Sequence, residues 1–399
     1  MARRPTLDFL KTESGAGLAP LAAGALALAL ANSPLSSRYF ALLAHPIAVQ
    51  VGAFTQTLPL EGWVGRGLMA IFFLVVGMEI KFEALRGELS SPRRLALPVL
   101  AAVGALVVPV LIYLGLNLGR GGAPGGWPVV VATDMAVALA ALAWAAPRLP
   151  PPLRVFLLTV AIVDDVAAVG VIGVVYTGHV HWAALTGAGA ALAALAMLSR
   201  WRRAPLLFYA GGIVLAWGFC LKSGIDTSLA GVACALTVPV GARRAGGESV
   251  LKLFMDSLHP YVAFGVLPLF AFTAAGISLA GVGGRDLVSP VTLGVILALL
   301  VGKPLGVFGF SLVGAASRLA RRPTGTTWLE LLGVAILCGA GFTMSLYLAA
   351  LAFGRGDATE GSLVRLAALA ASVLSVAGGG AVLAWALRRR DARGEEALD

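Results

Sequence analysis

The sequence predicts an all-α polytopic membrane protein, and three observations support this class. Of its 399 residues, 59% are hydrophobic and only 13% are charged, whereas an ordinary soluble domain carries about 25% charged residues. Apolar runs of roughly 20 residues, the length of a membrane-spanning helix, recur along the chain. Backbone polar groups must be satisfied inside a bilayer, so such runs form helices. We therefore expect about 12 transmembrane helices in one domain, residues 18–387, between cytoplasmic segments 1–17 and 388–399.

Proline, glycine and charged residues set the bounds of the spans. The predicted spans are Leu18–Ala31, Trp63–Ile80, Leu95–Leu118, Pro128–Pro147, Leu153–Val175, Trp182–Leu198, Leu206–Leu221, Ser228–Val240, Tyr261–Ala274, Val291–Leu312, Leu329–Phe353 and Leu363–Leu387. Segment 45–60 is not a span. Its alternating Ile47, Val49 and Val51, followed by a turn at Gly52 and Ala53, predict a short outer β-hairpin.

The net charge of +10 would suggest a nucleic-acid partner in a soluble chain. Here most of the 30 Lys and Arg residues fall in the loops on one side of the predicted spans, and Lys303 falls inside a span. The positive-inside rule then places both termini in the cytoplasm and removes the need for nucleic acid. The three cysteines lack metal-ligand spacing and are interpreted as packing residues.

Asp164 and Asp165 lie together in the middle of the fifth span. A charge at the centre of a spanning helix costs roughly 2.5–3.5 kcal/mol on insertion scales, and such residues usually face a cavity or a partner. Neighbouring side chains on a helix point about 100° apart. We therefore expect one aspartate to face a water-filled site and the other to face another helix.

Two spans are interrupted. Thr133 and Asp134 break the fourth span, and a glycine-rich stretch with Gly339 and Gly341 breaks the eleventh. Each is second in a group of three spans, residues 95–175 and 291–387, with the spans of residues 182–274 between the groups. Paired interruptions indicate inverted repeats around a site at the membrane midplane. For the eleventh span, glycines that serve close helix packing alone are an alternative.

Four ionisable residues lie deep in the spans: Asp134, Asp164, Asp165 and Lys303. Carboxylates together with carbonyl groups from a broken helix suit a hard cation, which prefers oxygen ligands. A carboxylate that holds a proton cannot ligate a cation, so the two would compete for one site. Glu79 and Glu83 share a helix face near the cytoplasmic mouth, where either a cation entrance or a solvated helix end explains them.

Five motifs run along the chain: Phe72–Lys81, Val131–Leu139, Ala161–Ala167, Gly302–Gly306 and Leu337–Ser345. Together they closely resemble the NhaA family of sodium/proton antiporters, and the likeness runs nearly end to end. The resemblance implies a bacterial inner-membrane transporter rather than an enzyme, without a cofactor. It would exchange cytoplasmic Na⁺ or Li⁺ electrogenically for external H⁺, serving sodium and pH homeostasis.

The resemblance also implies residue roles. Asp165 would be the principal Na⁺ ligand, with Asp164 its partner, paired to Lys303 in one state. Thr133 and Asp134 would bind or balance charge where the broken spans cross, beside Gly339 and Gly341. The entrance and pH response would involve Glu79, Glu83, Asp256 and His259. The open edges of the hairpin predict a homodimer interface.

The chain departs from familiar members at three positions: Arg66, Asp226 and the pair Met255 and Asp256. These departures concern the pH response rather than the transport motifs. Two rival functions remain open on the sequence alone. One is a sodium-coupled symporter of similar architecture, and the other, from a different class, is an intramembrane aspartyl protease that uses paired aspartates.

Overall fold

The structure is a computed structural model that describes residues 13–51, 54–87, 92–178, 180–200, 206–241, 249–354, 358–392 and 394. Most of the predicted N-terminal segment 1–17, the hairpin turn at Gly52 and Ala53, and nearly all of the tail beyond residue 392 lie outside the described residues.

The described chain is mostly helical, as predicted. Its α-helices are α1 Glu13–Ala31, α2 Ser36–Ala44, α3 Met69–Arg86, α4 Pro92–Asn117, α5 Met135–Ala145, α6 Pro151–Val175, α7 Trp182–Leu198, α8 Leu206–Ser223, α9 Thr227–Thr237, α10 Val250–Tyr261, α11 Leu267–Ala274, α12 Pro290–Leu297, α13 Lys303–Ala316, α14 Trp328–Leu337, α15 Phe342–Phe353 and α16 Ala358–Ala392. Single helical turns form at Leu60–Trp63 and Gly284–Leu287, and a 3₁₀-helix forms at Pro124–Val130. Three π-helical turns lie at Val64–Leu68, Val262–Val266 and Ala298–Gly302.

Several helices are long and apolar enough to span a membrane. Among the described residues five single helices qualify: Leu95–Asn117, Pro151–Val175, Val250–Ala274, Pro290–Ala316 and Glu360–Ala392. Three bent pairs raise the number to eight when each pair counts as one span. The chain is therefore a multi-pass helical membrane protein.

The two interruptions predicted from the sequence are confirmed. The helix axes bend by 44° between the 3₁₀-helix Pro124–Val130 and α5, and by 42° between α14 and α15. Thr133 and Asp134 occupy the first break, because short polar side chains hydrogen-bond nearby backbone and favour helix caps. Gly339 and Gly341 occupy the second break, where their missing side chains leave room for close approach.

The predicted start of the ninth span at Tyr261 is wrong. The helix begins at Val250, where the Ser249 side chain accepts a hydrogen bond from the backbone of Lys252. Pro260, which we expected to precede the helix, lies inside it. The π-turn Val262–Val266 follows directly. Such a wide turn shifts the pattern of backbone hydrogen bonds, which allows the helix to continue past the proline. Asp256 and His259 therefore lie on a helix rather than in a loop.

The predicted hairpin is present as a two-stranded antiparallel sheet, β1 Pro46–Val51 and β2 Phe54–Pro59. Its register pairs Ile47 with Leu58. The indole nitrogen of Trp63 donates a hydrogen bond to the Ile47 carbonyl over 2.9 Å, which ties the hairpin to the start of the following helix.

Glycines bring α4 and α13 into backbone contact. A Cβ atom on Gly306 would lie 2.0 Å from the carbonyl oxygen of Gly104, and one on Gly104 would lie 2.2 Å from the carbonyl oxygen of Gly306. Small residues allow this approach, which is a common basis of helix packing in membranes. Because Lys303 begins α13, this contact sets the position of its side chain.

We predict that Gly306→Ala destabilises the protein by about 1–3 kcal/mol, because the new methyl group would collide with α4. Gly309→Ala is the matched control on the same helix, since a Cβ atom there meets nothing within 4 Å. The control should be neutral or up to about 1 kcal/mol stabilising through helix propensity. Thermal unfolding in detergent measures both variants, and equal melting temperatures would contradict the packing described.

Candidate functional site

The two broken spans meet at their breaks. The backbone N–H of Asp134 donates to the carbonyl oxygen of Ala340 over 2.7 Å. Close to this contact, the Thr133 hydroxyl lies 2.9 Å from the carbonyl oxygen of Cys338. Four helix ends therefore converge inside the protein, two of them N-terminal and two of them C-terminal.

The Asp134 carboxylate serves both N-terminal ends. One oxygen, Oδ1, accepts from the backbone N–H of Val137 at the start of α5 over 3.1 Å. The other, Oδ2, accepts from the backbone N–H of Thr343 at the start of α15 over 2.9 Å, and also from the Thr343 hydroxyl. A negative charge at a helix N-terminus offsets the positive end of the helix dipole. Asp134 offsets two such ends at once.

Lys303 serves the C-terminal side. Its side chain is fully buried, and its ammonium group donates to the Val131 carbonyl oxygen over 2.6 Å and to the Thr133 hydroxyl over 3.0 Å. Its third contact is an ion pair, with 2.6 Å between Nζ and Oδ2 of Asp164. An ammonium group has three donors, and here each has an acceptor.

Thr133 links the ion pair to the second break. Its hydroxyl accepts from Lys303 and lies 2.7 Å from Oδ2 of Asp164 and 2.9 Å from the Cys338 carbonyl oxygen. A hydroxyl has one proton, so it can donate to only one of these two acceptors at a time. Any change in the charge of Asp164 is thereby coupled to the backbone carbonyl group of Cys338, which caps the C-terminal end of α14.

The two adjacent aspartates face different surroundings, as predicted. Asp164 contacts Lys303, whereas Asp165 lines a cavity of about 100 Å³ together with Thr133, Asp134 and Thr343. Oδ1 of Asp164 and Oδ1 of Asp165 are buried and have no hydrogen-bond partner among the described residues. Buried polar atoms are normally satisfied, so these two oxygens suit an occupant such as a proton or a cation.

The predicted crossing glycines lie where backbone meets backbone. A Cβ atom on Gly339 would lie 2.5 Å from the Leu299 carbonyl oxygen in the π-turn before Lys303. A Cβ atom on Gly341 would lie 2.1 Å from the Ser345 hydroxyl and 3.3 Å from the Ala132 carbonyl oxygen. Neither site has room for a side chain.

The predicted entrance residues separate into two groups. Glu79 and His259 line the same cavity as Asp165. Glu83 and Asp256 are not among the residues that line it, and Asp256 is exposed on α10. Asp226 caps α9 and accepts a hydrogen bond from the Tyr347 hydroxyl over 2.8 Å, away from this cavity.

Several site residues were not predicted from the sequence. The Ser345 hydroxyl donates to the Val129 carbonyl oxygen over 2.8 Å, and the Ser372 hydroxyl accepts from the Phe342 backbone over 2.9 Å. Both satisfy helix ends at the crossing. Ser345 lies within a motif that we singled out, but a serine in an apolar helix has no local feature that distinguishes a cap from a packing residue.

A buried ion pair and a carboxylate cavity at the crossing of two broken membrane helices are typical of a secondary transporter. The chain belongs to the Na⁺/H⁺ antiporter 1 family, whose profile matches residues 7–383. It is 43% identical over 388 residues to the Na(+)/H(+) antiporter NhaA 1 of Syntrophotalea carbinolica, covering 97% of this chain and 98% of that protein.

Other relatives show the same extent of similarity. The chain is 44% identical over 381 residues to the Na(+)/H(+) antiporter NhaA of Pseudomonas putida strain GB-1, covering 96% of this chain and 97% of that protein. It is 42% identical over 390 residues to the Na(+)/H(+) antiporter NhaA of Campylobacter concisus, covering 98% of this chain and 95% of that protein.

We predict that Asp164 and Lys303 are energetically coupled. Removing one partner of a buried ion pair costs about 3–5 kcal/mol, because the other charge is left uncompensated. Asp164→Asn and Lys303→Met should each lower the melting temperature, and the double variant should lose clearly less than the sum of the two.

The control pairs Lys303→Met with Asp391→Asn, an exposed residue at the end of α16. These two effects should add, since the residues share no contact. Additive losses for Asp164→Asn and Lys303→Met would contradict the ion pair.

Proposed function

We propose that this protein exchanges Na⁺ or Li⁺ for H⁺ across the bacterial inner membrane at the site built by Asp164 and Asp165. The observation that carries the proposal is the pair of unpartnered carboxylate oxygens beside the Lys303 ion pair. Oxygen ligands suit a hard cation, and backbone carbonyl groups of the helix breaks lie close by. The family relationship supports the same activity.

Competition between proton and cation for one site couples their movements across the membrane. Asp165 faces the cavity and Asp164 does not line it, so of the two adjacent aspartates an entering cation meets Asp165 first. A protonated carboxyl group has lost the charge that attracts Na⁺. Binding of the cation therefore requires release of the proton, and on the other side of the membrane the order is reversed. Coupling follows because one site cannot hold both.

Asp164 is the switching ligand in this scheme. In the structure, Oδ2 of Asp164 contacts Lys303 and Thr133. A cation bound to Asp165 attracts Asp164 and competes with Lys303 for its charge, so the ion pair breaks as the site fills. Lys303 keeps the Val131 carbonyl oxygen as a partner. Electrogenic exchange requires that these three titratable groups together exchange more than one proton for each Na⁺ that binds.

Both ions are cargo rather than resident cofactors, and the exchange needs no enzymatic step. Among the described residues no group of three or more His, Cys, Asp or Glu side chains has the arrangement of a metal site. A transported cation must leave again, so a weak site completed by carbonyl groups and water fits this role better than a closed cage.

Glu79 and His259 would form the cytoplasmic approach to Asp165, since both line its cavity. Glu83, one helical turn beyond Glu79 on α3, would attract cations to the mouth. Asp256 lies three residues before His259 on α10, where its charge would act on the pH response. Both termini would lie in the cytoplasm. Export of Na⁺ in exchange for H⁺ would serve sodium and pH homeostasis.

The proposed architecture has about 12 transmembrane helices in a domain of residues 18–387. Residues 95–175 and 291–387 would form inverted repeats, with the spans of residues 182–274 between them. Two of the bent pairs support this arrangement, because each is second in its proposed group of three spans: Pro124–Val130 with Met135–Ala145, and Trp328–Leu337 with Phe342–Phe353. We also propose a homodimer that pairs through the outer hairpin, because a two-stranded sheet leaves both edges open.

The size of the cavity and the partners of its carboxylates favour ion exchange over the two rival functions. About 100 Å³ is far below the roughly 300–1,000 Å³ of sites for organic ligands, so a symporter substrate does not fit here. An aspartyl protease would need two carboxyl groups free for acid–base chemistry. The oxygens of Asp134 are instead held at two helix ends, and Asp164 is paired to Lys303.

We predict that Asp165→Asn abolishes exchange while the protein stays folded, since the amide removes both the titratable proton and the charge that the cation needs. The measurement is the pH change that Na⁺, Li⁺ or K⁺ evokes in proteoliposomes. Asp391→Asn, with the same chemical change at an exposed helix end, should keep full activity. Near-normal Na⁺/H⁺ exchange by a stably folded Asp165→Asn protein would refute the assignment.

A further inference from the structure

A second cavity lies well away from the crossing helices. It has a volume of about 880 Å³ and sits between the first turns of α4 and α6 and the loop that joins α13 to α14. This size is within the range of sites that hold organic ligands, roughly 300–1,000 Å³. None of the residues that line the Asp165 cavity lines this one, so the ion path leaves it unexplained.

The loop side of the cavity is strongly basic. Arg318, Arg321 and Arg322 line it, and all three are exposed. Among the described residues, none of these guanidinium groups makes an ion pair or a hydrogen bond. Arg322 instead lies over the Trp328 ring, 5.5 Å from its centroid. Three positive charges without an ion-pair partner in the described part of the chain repel Na⁺ and attract an anion, and guanidinium groups match phosphate oxygens in particular.

The opposite walls are apolar. They are formed by the starts of α4 and α6, which include Leu95, Leu97, Pro98, Val155 and Phe156. Leu319, between the arginines in sequence, also lines the cavity and is 70% exposed. An inorganic anion would gain no favourable contact from these apolar walls. An amphiphile with an anionic head and hydrocarbon chains fits both halves of the lining.

The arginine-bearing loop is held in place by its backbone. Arg318 has φ +60°, a left-handed conformation that residues other than glycine seldom adopt. Next to it, the Ala320 backbone N–H donates to the Gly314 carbonyl oxygen at the end of α13 over 3.0 Å, and Ala320 is buried. The turn therefore folds back toward the helix end and keeps the arginines beside the cavity.

We propose that this cavity binds an anionic phospholipid of the cytoplasmic leaflet, with its phosphate on the three arginines and its acyl chains against α4 and α6. Both of these helices are long and apolar enough to span the bilayer, so their ends lie at the level of the lipid headgroups. Basic pockets between membrane helices on the cytoplasmic side are suited to anionic headgroups. The lipid would join α4 and α6 to the loop before α14, and thus brace the helix that carries Asp164 and Asp165.

The test is native mass spectrometry of the full-length protein in detergent, titrated with dioleoyl-phosphatidylglycerol. Arg321→Gln combined with Arg322→Gln should weaken the first binding event by about tenfold, since charge-assisted hydrogen bonds to phosphate are lost. Arg86→Gln combined with Arg388→Gln is the matched control. It removes the same charge at exposed positions outside the cavity and should leave the affinity unchanged.

Wild-type protein gives a second, independent readout. It should bind phosphatidylglycerol about tenfold more tightly than zwitterionic phosphatidylcholine with the same acyl chains. Inorganic phosphate at the same concentration should not displace the lipid. Equal weakening in both double variants, no headgroup preference, or displacement by phosphate would each overturn the proposal. None of these readouts measures transport, so the result is independent of the proposed exchange activity.

Discussion

The structure depends on one constraint: four helix ends meet inside a membrane protein, and their unpaired backbone groups need partners. Water is scarce there, so the protein supplies charges and hydroxyl groups. Asp134 accepts from the backbone at the starts of α5 and α15. At the C-terminal ends, Lys303 donates to the Val131 carbonyl oxygen and Ser345 donates to that of Val129. The Thr133 hydroxyl lies against the Cys338 carbonyl oxygen. Without these partners the breaks could not persist beside apolar helices.

The same partners also shape the proposed ion site. Lys303 and Thr133, which stabilise the C-terminal helix ends, simultaneously hold one oxygen of Asp164. The other Asp164 oxygen and one oxygen of Asp165 stay unpartnered. A cation or a proton at these oxygens therefore changes the hydrogen bonds that hold the helix ends. In the proposed mechanism, ion binding and helix position would be coupled through these shared atoms, which is the property an alternating-access transporter requires.

Much of this site could be predicted from sequence because its signals are local. Charged residues are rare inside membrane spans, so two aspartates in an apolar run and a lysine inside a span indicate a functional site. The paired interruptions at Thr133 and Gly339 indicate where the broken helices meet. The start of α10 was missed because Pro260 normally ends a helix, whereas here a π-turn follows it. The role of Ser345 could not be predicted, since its partner Val129 lies 216 residues away in the chain.

The central claim is that proton and cation compete for Asp164 and Asp165. Its most direct test is proton release from purified protein in weakly buffered detergent when Na⁺ is added, measured from about pH 5.5 to 9, since a carboxyl group that binds Na⁺ must first lose its proton. Competition predicts that Na⁺ binding releases protons and that the pH midpoint of binding falls as the Na⁺ concentration rises. Sodium binding without proton release at any pH in this range, or with a midpoint independent of Na⁺ concentration, would contradict the account.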